Sequence, residues 1–233
     1  MRIGLFGYGK MGQLIGQMAE ARGHEIAARI DQPHDPVPFG EMEVAIDFSS
    51  PEAAFDNISR CLEAGIPVIS GTTGWLDRFE EAVELCGKRE GAFIYASNFS
   101  LGVNLFFELN ARLAGLMQNA PGYEARIEEI HHTQKLDAPS GTAITLAEGI
   151  VANSRYSGWE AEEAVEGKLP VASRRIGDVP GTHRVSYESE VDRIEIIHTA
   201  HNRKGFALGA IVAAEWILGK KGVFSMKDVL NLR

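Results

Sequence analysis

The chain has 233 residues, 45% of them apolar and 24% charged, with a formal charge of −9 at neutral pH. These proportions are those of soluble globular proteins and exclude disordered and fibrous classes. No apolar run reaches the roughly 18 residues of a membrane span, and no run of Lys or Arg exceeds two, so no membrane and no nucleic-acid partner is expected and a small-molecule partner is favoured. The chain opens directly into a structured motif without a secretory leader, which predicts a cytoplasmic protein. Cys61 and Cys86 lie in helix-like segments without CxxC or Cys/His spacing, so both are expected to be small core residues.

Residues 1–98 alternate short β-rich runs with helical stretches, the pattern of βαβ units around a parallel sheet. Five strands are predicted: Arg2–Phe6, Glu25–Asp31, Val44–Phe48, Pro67–Ser70 and Ala92–Ala96. Leu14, Ile15, Met18 and Ala19 give helical spacing, Gly23 supplies a stop, and Ser50-Pro51 reads as an N-cap followed by Pro at the first helical position. Pro33–Gly40 is a loop. After Asn98 the pattern changes to an amphipathic helix over Val103–Met117, an alternating strand over Tyr123–Ile130, and a hairpin over Thr182–Glu188 and Arg193–Thr199. One face of that antiparallel sheet is left open, either to solvent or to a partner subunit. An apolar helix over Phe206–Leu218 and a capping box at Ser225-x-x-Asp228 close the chain and are expected to rejoin the first domain. The fold class is therefore α/β. A Rossmann-type dinucleotide-binding domain (1–98 plus 207–233) is joined to a smaller α+β domain (99–206) with an open mixed or antiparallel sheet.

The first strand runs into Gly7-Tyr8-Gly9-Lys10-Met11-Gly12, a G-x-G-x-x-G between strand and helix. That spacing gives a tight turn, close backbone approach to a pyrophosphate and close helix packing. Asp31 ends the second strand, where an acidic side chain accepts from the ribose hydroxyls of NAD(P). The later strand ends Asp47-Phe48-Ser49-Ser50 and Gly71-Thr72-Thr73-Gly74 fall where open α/β sheets bind ligands. Asp31 and the following Gln32 favour NADH, while Lys10 and Arg29 offer cations to a 2′-phosphate, so dual use with a modest NADH preference is expected.

The densest chemistry lies in Glu128–Ala143, with His131, His132 and Lys135 close together. Ser140 is a natural N-cap that leaves Gly141 and Thr142 at the positive end of a helix, a site for a carboxylate beside Lys135 and a histidine. No third metal ligand is evident from spacing, so no metal is expected.

From Glu129 through Ala143 the sequence fulfils E-x-H-x-x-x-K-x-D-x-P-S-G-T-A, which resembles the 4-hydroxy-tetrahydrodipicolinate (dihydrodipicolinate) reductase family of diaminopimelate and lysine biosynthesis. The resemblance extends in order through Gly7–Gly12, Asp47-Phe48-Ser49, Gly71–Gly74, Ala96-Ser97-Asn98-Phe99-Ser100 and Arg203-Lys204-Gly205-Phe206. One departure is Arg126, where the family carries an acidic residue. The resemblance implies reduction of a cyclic dicarboxylate by NADH or NADPH in a homotetramer, with the second domain serving substrate binding and oligomerisation. It implies His131 as acid/base, Lys135 as substrate ligand and possible proton donor, and His132, Ser140, Gly141, Thr142 and Arg203 at the substrate. It also implies that Gly71, Thr72, Thr73, Ser97, Asn98, Phe99 and Phe206 join Phe48 and Ser49 around the cofactor. The rivals are a semialdehyde dehydrogenase-like enzyme, which would need a cysteine on a strand-end loop, and a nicotinamide-sensing regulator, which would need a DNA-binding element.

Overall fold

The computed structural model describes residues 1–32, 35–161 and 165–232. In chain order the elements are β1 (Arg2–Phe6), α1 (Lys10–Ala21), β2 (Glu25–Ile30), β3 (Val44–Asp47), α2 (Pro51–Glu63), β4 (Val68–Ser70), α3 (Phe79–Lys88) and β5 (Ala92–Tyr95). They continue with α4 (Leu101–Met117), β6 (Glu124–His131), α5 (Gly141–Val151), β7 (Trp159–Ala161), β8 (Leu169–Arg175), β9 (Thr182–Glu188) and β10 (Arg193–Thr199). The chain ends with α6 (Lys204–Ile217), β11 (Gly222–Phe224) and α7 (Met226–Val229). Of the predicted Pro33–Gly40 loop, residues 33 and 34 lie outside the described residues.

The chain forms two compact units, one of residues 1–101 and 204–233, the other of residues 102–203. Unit 1 is a parallel sheet in the order β11-β5-β4-β3-β1-β2. Alternation along each strand gives the sheet two apolar faces. Ile3, Leu5, Ile46, Ile69 and Ile94 pack with α1 and α6, while Ala45, Val68 and Phe93 pack with α2 and α3. Cys61 and Cys86 are buried free thiols in the second of these layers. The sheet contains β11 as a sixth strand, which the sequence reading did not include; at three residues it is too short to carry a periodic pattern. Ser50 is the N-cap of α2 and Pro51 its first residue, but the Ser50 hydroxyl caps no helical N–H.

Unit 2 is a sheet in the order β10-β9-β6-β8-β7. It is mixed rather than antiparallel, because β8 runs parallel to both β6 and β7. One face carries Ala125, Ile127, Val171, Val185 and Tyr187 against α4 and α5. The other carries Glu128, which meets Arg174 at 2.7 Å and Arg184 at 3.4 Å, and Ile197, which is 49% exposed.

Small residues let α6 approach closely in unit 1. A Cβ on Gly209 would stand 1.7 Å from the Phe99 carbonyl oxygen, whereas a Cβ on Gly87 in α3 would meet nothing within 4 Å. Gly209→Ala should therefore destabilise by at least the ~1–3 kcal/mol of an overpacked core. Gly87→Ala should stabilise by about 0.5–1 kcal/mol through helix propensity. Denaturant unfolding of both variants checks the opposite signs.

Candidate active site

In unit 1 the chain order makes β1 and β3 diverge toward opposite halves of the sheet, and a crevice opens beyond their C-terminal ends. A cavity of about 390 Å³ there is lined by Gly7, Gly9, Asp31, Gln32, Phe48, Ser49 and Asn57, among others. A second, of about 260 Å³, is lined by Met11, Phe48, Ser49, Pro51, Gly71, Thr72 and Thr73. The glycines differ in purpose. Gly7 has φ +85 and a Cβ there would lie 2.3 Å from the Phe48 carbonyl oxygen, so it serves the turn and its packing. A Cβ on Gly12 would stand 2.1 Å from the Gly7 carbonyl oxygen. A Cβ on Gly9 would meet nothing within 4 Å, so its missing side chain leaves space at the start of α1, where helix N–H groups attract an anion. Tyr8 donates its backbone N–H to Asp31 Oδ1 at 2.9 Å, and Lys10 is exposed at the start of α1.

The two strand-end loops are tied together by Asp47, which is fully buried. Its carboxylate accepts from Ser49 Oγ (2.6 Å), Asn57 Nδ2 (3.1 Å), Ser70 Oγ (2.8 Å) and Thr72 Oγ1 (2.8 Å), and Thr72 Oγ1 accepts from the Ser49 N–H (2.9 Å). Phe99 is buried against Phe48, with ring centroids 5.8 Å apart, and packs in the core of unit 1. Ser97 and Asn98 follow β5, Asn98 Oδ1 accepts from the Ser100 N–H at 2.9 Å, and Phe206 is half-buried in α6.

In unit 2 the sheet register gathers a second cluster. Glu129 on β6 lies opposite Ser173 on β8 and His183 on β9, and His131 lies opposite Arg175. All of them share the face covered by α5. Glu129 has no solvent exposure. Its Oε1 accepts from Arg175 Nη2 (3.0 Å) and the Ser140 N–H (3.1 Å), and its Oε2 lies 2.8 Å from His131 Nδ1 and 3.8 Å from His183 Nε2. Burial alone would raise the Glu129 carboxyl, but contacts from His131, Ser140, Ser173 and Arg175 outweigh it and hold the group well below the usual carboxylate range. Burial, with repulsion from His131 second, pushes His183 down to about 4.

Arg175 also donates to the carbonyl oxygens of Lys135 and Asp137, so one guanidinium fixes the loop that follows β6. On that loop Lys135 Nζ meets both Asp137 oxygens at 2.7 and 2.8 Å. Ser140 is the N-cap of α5: its Oγ accepts from the Ala143 N–H and lies 3.2 Å from His183 Nε2. Gly141 and Thr142 form the first turn. A Cβ on Gly181 would stand 3.0 Å from His131 Nε2, so glycine keeps space beside that nitrogen.

Thus Glu129 joins His131 and Ser140, and Arg175 ties the backbone of Lys135 to the same carboxylate, with Gly141 and Thr142 following Ser140, while His132 is half-buried on the loop and Arg203 is exposed at the end of unit 2. The sequence reading passed over Glu129, Arg175 and His183 as site residues. Glu129, His131 and His183 also place one ligand atom each within 4.8 Å of one another, which supplies the third metal-capable group that spacing did not reveal.

Two family models match the chain: the N-terminus of dihydrodipicolinate reductase over residues 1–99 and its C-terminus over residues 102–230. A curated 4-hydroxy-tetrahydrodipicolinate reductase of Christiangramia forsetii is 57% identical over 99% of this chain and 98% of its own length. One of Neisseria meningitidis is 36% identical over 82% of this chain and 74% of its own length. The dipicolinate-bound dihydrodipicolinate reductase structure from Paenisporosarcina sp. TG-14 superposes with a TM-score of 0.82, covering 100% of this chain and 99% of that one at 22% identity.

His183 sets a pH dependence. The unfolded chain protonates this histidine near 6.5, whereas the folded chain resists until about 4. Stability from the neutral ring is full above pH 6.5 and is lost as pH falls toward 4, by up to about 3 kcal/mol at 1.36 kcal/mol per pKa unit. Urea unfolding at pH 7 and pH 5 should show a smaller acid loss in His183→Gln than in the unmodified chain.

Proposed function

The chain belongs to the dihydrodipicolinate reductase family, and we infer that it reduces 4-hydroxy-tetrahydrodipicolinate, or its dehydrated dihydrodipicolinate form, to tetrahydrodipicolinate in diaminopimelate and lysine biosynthesis. The observation that carries this reading is the cluster of unit 2. A buried, ionised Glu129 holds His131 and Arg175 beside Lys135 and the start of α5, which suits a substrate with two carboxylates and a need for a proton.

NADH or NADPH, held by the glycine loop and the strand-end loops of unit 1, supplies the hydride when bound. The spare volume at Gly9 and the cavities beside Asp31 and Thr72 fit a dinucleotide. Substrate carboxylates are bound by Lys135 Nζ, the Thr142 hydroxyl and the N–H groups of the first turn of α5, where the helix dipole favours an anion. His132 and Arg203 are further candidates for that role. Hydride addition to a conjugated C=C–C=N system builds negative charge, and His131 is the residue proposed to quench it with a proton. Glu129 is a positioning residue: it orients the His131 ring and does not meet the substrate. Arg175 already neutralises the Glu129 carboxylate, so we read the Glu129–His131–His183 group as a proton and anion site rather than a metal site.

The assay follows nicotinamide absorbance with freshly condensed pyruvate and aspartate semialdehyde. His131→Gln should lower the rate of reduction by the ~10²- to 10⁴-fold of a lost general acid. Lys135→Ala should weaken substrate affinity and turnover while dinucleotide binding, read by fluorescence titration, stays close to that of the unmodified chain. Unmodified activity in either variant would overturn the assignment.

We also propose that the chain is cytoplasmic and that four copies associate through the open face of the unit 2 sheet. Support comes from the Glu128–Arg174 and Glu128–Arg184 pairs and the half-exposed Ile197 on that face, together with the general preference for closed symmetric assemblies. Light scattering should give a species four times the 25.4 kDa chain mass. A stable single-chain species would overturn the proposal.

A further inference from the structure

Beyond β2, Asp35 Oδ2 accepts the backbone N–H groups of Asp31 (2.9 Å) and Gln32 (2.8 Å). Asp31 Oδ1 accepts the Tyr8 N–H from the glycine loop, which leaves Asp31 Oδ2 for a hydroxyl partner. Asp31 and Gln32 line the 390 Å³ cavity together with Gly7 and Gly9, so the residues that carry these two N–H groups border the cavity proposed for the adenosine ribose. A phosphate on that ribose seeks backbone N–H donors and a cation. The donors are taken by a carboxylate. Arg29 is held by Glu20 Oε1 at 3.1 Å and lies 5.4 Å over the Tyr8 ring, and Lys10 is exposed at the start of α1. The N–H bonds from Gln32 and then Asp31 hold the Asp35 carboxyl below its usual value, so it is an anion at neutral pH.

We propose that Asp35 is a specificity-determining residue, an internal carboxylate that occupies the N–H donors a 2′-phosphate would need and so selects NADH over NADPH. The proposal rests on the dinucleotide reading of unit 1 given above. Its logic is a difference of affinities. A 2′-phosphate brings close to two negative charges to the Asp31 and Asp35 carboxylates and must displace one of them to find donors. A 2′-hydroxyl needs only an acceptor, which Asp31 offers, and leaves the Asp35 bonds intact. Asp35 therefore penalises one cofactor without contacting the other.

The test measures Kd for NADH and NADPH by nicotinamide fluorescence, and kcat/KM with each, at fixed ionic strength. The unmodified chain, Asp35→Asn, Asp35→Ala and Asp31→Asn are compared. The unmodified chain should favour NADH. Asp35→Ala, which removes the charge and frees the two N–H groups, should move the NADPH/NADH ratio at least ten-fold toward NADPH, and Asp35→Asn, which removes the charge but keeps an acceptor on them, should move it more than two-fold but less far. Asp31→Asn should instead weaken NADH binding, because it removes the charged ribose acceptor. The idea fails if the unmodified chain prefers NADPH or if Asp35→Asn leaves the ratio within two-fold. Thermal unfolding identifies a misfolded Asp35→Ala, in which case Asp35→Asn decides. If the Kd ratio shifts as expected but the condensation product is not reduced, the proposed reaction fails and this inference stands. Turnover with an unmoved ratio has the opposite meaning.

Discussion

Glu129 sits on the central strand of the unit 2 sheet without solvent access, and an ion in such a place costs several kcal/mol unless its lone pairs are answered. Arg175 and the Ser140 N–H donate to Oε1, while His131 and His183 stand 2.8 and 3.8 Å from Oε2. Ser173 is delivered by β8, His183 by β9, His131 by the same strand two residues on, and Arg175 by the end of β8. Each of these groups is thereby fixed relative to the others. The Ser140 N–H adds the start of α5 to the same carboxylate, and Arg175 adds the loop that carries Lys135. Removing the Glu129 charge would take an acceptor from Arg175 and from the Ser140 N–H and the anion from beside His131 at once.

Unit 1 solves a different problem with different means. A dinucleotide is long and anionic, and the features that suit it there are backbone ones: a glycine turn after β1, a helix N-terminus, and strand ends that diverge at a topological switch. Side chains mostly keep the loops apart at the right spacing. The dicarboxylate reading of unit 2 depends instead on side chains whose positions follow from strand register. A one-residue slip between β6 and β9 would turn the whole Glu129 row to the other face of the sheet.

That difference explains what could be read in the sequence. The glycine loop, Asp31 and the five parallel strands are local patterns, and the structure reproduces them within a residue or so at each end. The hairpin of β9 and β10 was equally plain, because alternation marks both strands. The run Glu129–Ala143 could be recognised as chemistry, but not its support. Arg175 is 46 residues from Glu129 in sequence and lies on β8, whose Leu-Pro-Val-Ala-Ser-Arg-Arg has a proline and no clean alternation. His183 carries no local signal in its hairpin, and only the pairing of β9 with β6 brings it to Glu129. Phe99, grouped with the cofactor loops by resemblance, is buried against Phe48, and α6 reaches its carbonyl oxygen where residue 209 is glycine.

The molecule has a second buried carboxylate, Asp47, and the contrast between the two clarifies the first. Asp47 also accepts several hydrogen bonds, yet burial outweighs them and its carboxyl is pushed up, whereas that of Glu129 is pushed down. The partners account for the difference. Asp47 is met by the hydroxyls of Ser49, Thr72 and Ser70 and the amide of Asn57, all neutral dipoles, while Glu129 is met by a guanidinium and an imidazole as well. Neutral donors fix geometry without favouring charge strongly, and that is sufficient for a group whose task is to hold two loops at a set distance. A charged partner makes the ionised form dominant, so Glu129 meets His131 as a carboxylate. An imidazole beside such a charge is kept oriented, and the same carboxylate holds Arg175 and with it the loop bearing Lys135.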